Sequence, residues 1–267
     1  MKLTLSCWIP GISTIEGKLF HLFETGGNLL TFTVELLRDV FHPPYEFSEI
    51  RRHMDELGAK SLPLVGTTGV IMGLILAIQS RPVMARFGAE MYVPVLVSVS
   101  VVRELGPVIT ALILAGRVSS GIGAELGSMR VTEQIDAMEV SGVVPFRYLV
   151  MTRVIACTLL LPLLTGIVDL LAILGAYVAV KIDMNMSGQL YVYRAVNSLW
   201  LRDVIPGITK TAIFGFIIGI VGCYQGYHAT GGTEGVGRAS TNAVVISSLL
   251  VLFTDMVLVK VMVMIWG

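Results

Sequence analysis

Five stretches of this chain are apolar for about twenty positions or more: Leu62–Ser80, Tyr92–Gly116, Tyr148–Val180, Val204–Gly226 and Asn242–Trp266. Crossing the hydrocarbon core of a bilayer takes about 20 helical residues. Each stretch therefore predicts one transmembrane helix. The third exceeds that length, so it must tilt, bend at Pro162 or project beyond the membrane. Small residues recur at helical spacing in the first run (Gly66, Gly69, Gly73) and the fourth (Gly215, Gly219, Gly222, Gly226). Such spacing lets helix backbones approach closely, which makes these two runs candidates for tight contacts.

The remaining segments are amphipathic. Across residues 12–41, Leu19, Leu22, Phe23, Leu30, Leu37 and Phe41 recur at near-helical spacing among Lys18, Glu24, Glu35, Arg38 and Asp39. That pattern predicts a helix in the headgroup plane, or one packed on the rest of the protein, ending at Pro43-Pro44. A second piece, 46–59, gathers Phe47, Ile50, Met54 and Leu57 on one side. Residues 1–60 thus read as an interfacial region and 61–267 as a transmembrane domain. Between the second and third runs the chain leaves the apolar phase at Gly116–Arg117 and meets the small residues Ser119-Ser120-Gly121-Ile122-Gly123, which predict a turn. From Ala124 to about Val140 it reads as a short amphipathic helix. At 100° per residue, Ala124, Val131, Ile135 and Met138 share one face, and Glu125, Met129, Glu133 and Asp136 the other. A segment this short and charged cannot span. It is expected beside the membrane with its acidic side toward the cytosol, either as a docking surface or as a plain solvated helix.

Composition agrees with the pattern: of 267 residues, 54% are hydrophobic and 14% charged, against about a quarter charged in soluble domains. The fold class is an all-α polytopic membrane protein. Formal net charge is zero, which argues against nucleic acid as a partner. Cys7, Cys157 and Cys223 are far apart and lack metal-site spacing, so they read as small core residues. The N-terminal apolar run is too brief for a secretory signal or a lipidation site. Lys and Arg in the connections favour a cytoplasmic N-terminus, eleven inside against five outside, with the C-terminus outside.

Charges inside the spans carry the candidate chemistry. An ionisable residue at the centre of a lone helix costs about 2.5–3.5 kcal/mol on insertion scales. Arg103, Glu104, Asp169, Lys210, Asp255 and Lys260 are therefore expected to pair or to line a polar cavity, with Lys260 snorkelling from the helix end. Adjacent Arg103 and Glu104 point about 100° apart and cannot share one partner. Glu104 is expected to meet Lys210 or a wet cavity; a purely structural set of ion pairs is the alternative. No catalytic motif accompanies these charges. Residues 232–239 have P-loop glycine spacing, yet carry Arg238 where Lys is needed and Ala239 where a Mg²⁺-binding hydroxyl is needed. They read as a tight turn before the fifth run. Without GxSxG, HExxH or a Cys/His pair, the chain is expected to be no enzyme and to draw energy from a partner or an ion gradient.

Two blocks resemble a known family. One is Arg103-Glu104-Leu105-Gly106-Pro107-Val108, then Ala115-Gly116-Arg117, then Ala124 through Met138; the other is Tyr224-Gln225-Gly226-Tyr227 through Gly231-Gly232, Glu234-Gly235-Val236-Gly237-Arg238-Ala239 and Thr241. Both are similar to the MlaE permeases of ABC transporters that work with MCE-domain lipid carriers. The resemblance runs from about residue 46 to the end. It implies a homodimer in the bacterial inner membrane, with five spans per protomer and an N-terminal interfacial helix. It also implies two ABC ATPase subunits beneath that bind ATP and Mg, a periplasmic MCE hexamer above, and in some members a STAS-domain protein. No cofactor or metal is implied in this chain; bound phospholipid is implied in a cavity between protomers. The intramembrane polar residues Arg103, Glu104, Lys210, Asp169 and Asp255 are the candidates to supply polarity there or to fix the helices around it. By the same resemblance Glu125, Met129, Arg130, Glu133 and Asp136 belong to a coupling helix that engages the ATPase. An ion-coupled carrier, which usually has repeated halves, and a non-transporting scaffold for an MCE protein are the rival readings.

Overall fold

Each apolar run becomes one long helix in the computed structural model, which describes residues 27–39, 46–184 and 186–266. No strand occurs among the described residues. The chain divides into two units, Met1–Tyr45 and Glu46–Gly267. In the first unit the described part is helix α1 (27–39), with Phe32 and Leu36 buried and Leu30, Val34 and Leu37 exposed. The expected helix over 12–26 and its stop at Pro43-Pro44 lie outside the described residues.

The second unit contains α2 (Phe47–Arg86), α3 (Glu90–Val131), α4 (Gln134–Val140), α5 (Phe146–Met184), α6 (Gly188–Asn197), α7 (Leu201–Tyr227) and α8 (Gly232–Trp266). Five of these, α2, α3, α5, α7 and α8, are long and apolar enough to cross a membrane. At 1.5 Å per residue, α2, α3 and α5 reach about 60 Å, roughly twice the hydrocarbon thickness. Their polar ends therefore extend past the apolar runs, and α2 continues unbroken from the 46–59 segment into the first run.

The third spanning helix, α5, is the hub and packs on both α2 and α7. Backbone approach explains why. A Cβ on Gly73 would overlap the carbonyl of Ala172, and one on Gly175 would overlap that of Val70, so α2 and α5 meet reciprocally through glycine. On the other side, a Cβ on Gly215 would stand 2.5 Å from the Cys157 carbonyl oxygen. Lipid supplies no hydrophobic force between helices, so such close van der Waals contact is what holds them. Cys157 and Cys223 are buried and unpaired in this packing. Helix α8 packs on α7 and α3 but leaves Leu249, Phe253 and Met256 exposed.

Two expectations about α3 and its sequel are corrected. Residues 116–123 form no turn: the helix continues through π-helical turns at Val101–Leu105 and Ala115–Ser119 and then as α-helix to Val131. The small residues are absorbed as packing against neighbours, since a Cβ on Gly123 would meet Ala243 and Ser240 of α8. Nor is 124–140 one helix. It breaks at 132–133, where Glu133 takes a left-handed φ of 59° and α4 begins. Likewise residues 232–239 are the first turns of α8 rather than a turn before it; the reversal comes just earlier, with Gly231 and Gly232 at positive φ.

Candidate functional site

The π turn at Val101–Leu105 adds a residue to one turn of α3 and presents Arg103 and Glu104 in different directions. Arg103 pairs with Asp203 at the start of α7, a carboxylate that is 3% exposed and also accepts the Trp200 backbone N–H at 2.9 Å. Glu104 accepts from Lys210 Nζ of α7 at 2.7 Å. The same ammonium lies 3.2 Å from Asp255 Oδ1 of α8. Lys210 is 1% exposed, Asp255 18% and Glu104 43%. One buried cation thus joins three helices, and the two carboxylates offset its desolvation.

Beside this cluster lies a cavity of about 240 Å³. Arg103, Glu104, Arg202 and Lys210 form its polar wall, and Val259, Met262 and Val263 its apolar one. Such a space suits an amphiphile: charge and hydrogen-bond donors on one side, hydrocarbon on the other. It offers no nucleophile with a base, and among the described residues no group of three His, Cys, Asp or Glu side chains could hold a metal.

Asp169 stands apart from the expected set. Its Oδ1 is buried without a hydrogen bond and sits where a Cβ on Gly106 would be, just past the π turn. Lys260 is exposed near the end of α8.

The opposite ends of α3 and α7 make a second polar region. Arg130 bonds Asp136 at 2.6 Å across the break and lies over the Tyr227 ring, 5.9 Å from its centroid. Phe146 meets the same ring edge-on. Ile135 is fully buried and anchors α4, while Glu133, Asp136 and Glu139 stay exposed. Met129 is half-buried. Glu125 is exposed as well and accepts from Arg153 Nη2 of α5 at 2.7 Å. Asp203 and Arg153 are the partners that sequence reasoning missed. A polar residue opening an apolar run, as in Leu201-Arg202-Asp203-Val204, was the available signal for the first.

Residues 50–261, most of the chain, match the family described as Permease MlaE. The chain belongs to the MlaE permease family. A probable ABC transporter permease protein of Rickettsia typhi is 39% identical over 94% of this chain and 97% of its own. The intermembrane phospholipid transport system permease protein MlaE of Haemophilus influenzae is 33% identical over 80% and 85% respectively. This MlaE-family protein is thus a multi-pass membrane protein and a transporter permease subunit. Its two motif blocks fall at the two polar regions: the first runs from the π turn at Arg103–Glu104 to α4, and the second spans the α7–α8 reversal.

Proposed function

We propose that this chain moves phospholipid between the bacterial inner membrane and a periplasmic MCE-domain carrier, as one protomer of a homodimer. The observation that carries the reading is Lys210, buried between Glu104 and Asp255 beside a cavity with one polar and one apolar wall. Arg103 and Arg202 would hold the headgroup phosphate and the apolar wall the start of the acyl chains. The N-terminus is cytoplasmic and the C-terminus periplasmic, which puts α4 on the cytosolic side. There Met129, Arg130, Glu133 and Asp136 form the surface for two separate ABC ATPase subunits, with a STAS-domain protein as a further partner. ATP and Mg bind those subunits; this chain itself binds no cofactor beyond phospholipid and catalyses no reaction. On ATP binding the ATPases tilt α4 and the end of α3, and the helices joined at Lys210 move as rigid bodies that open or close the cavity.

The test reconstitutes the chain with its ATPases in vesicles. Phospholipid is expected to stimulate ATP hydrolysis, and Arg103→Gln to lower lipid transfer about tenfold or more while the complex still assembles. Transfer that proceeds in vesicles lacking the ATPases would sink this reading in favour of an ion-coupled carrier.

A further inference from the structure

At the end of the bundle where α2 and α5 begin and α3 finishes, a second cavity of about 210 Å³ lies between these helices. It is more than three helical turns, about 20 Å, along α3 from the Arg103–Glu104 site. Three cations line it, Lys60 of α2, Arg117 of α3 and Arg153 of α5, together with two carboxylates, Glu56 and Glu125. Lys60 is held by Glu56 one turn away, and Arg153 by Glu125. Arg117 is half-buried on the π turn Ala115–Ser119 and has no ion-pair partner among the described residues. Arg153 is 4% exposed, and its guanidinium is incompletely used: Nη1 donates to the Leu149 carbonyl oxygen and Nη2 to Glu125, whereas Nε is buried with no acceptor. A buried donor without an acceptor keeps its full desolvation cost. Here it accompanies an unmatched guanidinium in a space large enough to hold an anion.

We infer that this cavity binds a phosphate group, presented by a lipid headgroup of the nearer leaflet or by a soluble phosphate, with Arg117 as its main counter-charge and Arg153 Nε as a donor. The chemistry fits on three counts. The site has one net cationic charge, a singly charged phosphodiester supplies both the negative charge and several acceptors, and guanidinium groups bind phosphate in a fork. Depth fits too: Lys60 and Arg117 flank the first and second apolar runs and Arg153 lies within the first two turns of the third, close to where headgroups of the leaflet sit. The inference rests on the membrane placement of the helices and not on which cargo the other cavity carries.

Gly121 gives a direct way to close the site. It lines the cavity, and a Cβ there would meet nothing within 4 Å. Gly121→Leu therefore fills the space without altering charge, and Arg117→Gln removes the charge while keeping a polar side chain. The full-length protein in nonionic detergent is titrated with short-chain phosphatidylglycerol, and bound lipid is counted by native mass spectrometry. Both variants are expected to weaken one binding event about tenfold, while Arg202→Gln, in the other cavity, leaves that event unchanged. Inorganic phosphate provides the second arm: if it displaces the lipid at equal concentration the soluble ion is the ligand, and if it does not the headgroup is. Affinity within twofold of the parent in both Arg117→Gln and Gly121→Leu overturns the proposal. The readout is binding alone, so its failure is distinguishable from a failure of transport.

Discussion

Replacing Lys210 by Met tests whether the charge cluster is a structural joint as well as a cavity wall. The side chain keeps its length and loses its charge, leaving Glu104 and Asp255 without the ammonium that lies 2.7 and 3.2 Å from them. Removing one partner from a buried pair costs about 3–5 kcal/mol. Glu104 is 43% exposed and rehydrates, so its share falls to the surface value of about 0–1 kcal/mol. Asp255 is 18% exposed and carries most of the penalty. The total centres near the low end, about 3 kcal/mol, which for a chain of this size lowers the melting temperature by about 6–12 °C. Thermal unfolding in detergent, followed by tryptophan fluorescence, measures it. The second variant decides the cause: adding Asp255→Asn to Lys210→Met removes the stranded carboxylate and should restore most of the loss. A shift below about 2 °C for Lys210→Met, or a double variant no better than the single one, would refute the reasoning.

Three further outcomes are expected. Gly73→Ala forces a methyl against the Ala172 carbonyl and should destabilise by about 1–3 kcal/mol, whereas Gly166→Ala, open on all sides, should be neutral or stabilising by up to about 1 kcal/mol; the same melting assay separates them. Glu133→Gly relieves a left-handed residue that costs about 1 kcal/mol or more, so stability should rise while ATPase stimulation falls if the carboxylate is a docking group; unchanged stimulation assigns the position to backbone geometry alone. Gly106→Ala must displace Asp169, and reduced lipid transfer with intact assembly would show that this carboxyl supports the π turn beneath Arg103 and Glu104.

Hydropathy determined the number of spans, their approximate places and the polar interruption between the second and third, because transfer into lipid is a local property that residues carry wherever they pack. Adjacency likewise sends Arg103 and Glu104 to different partners, and Glu104 finds Lys210. Neighbour choice was another matter. Gly66, Gly69 and Gly73 announced a close contact but not that its other side is Val168–Ala172 of α5, since lipid tails and leucine side chains are equally apolar and no gradient marks which face turns inward. The π turns, the break at Glu133, and the pairing of Arg103 with Asp203 a hundred residues on exist only in three dimensions. They depend on helix register at contact, which is settled by backbone approach over a few ångströms and leaves no periodic trace in the chain.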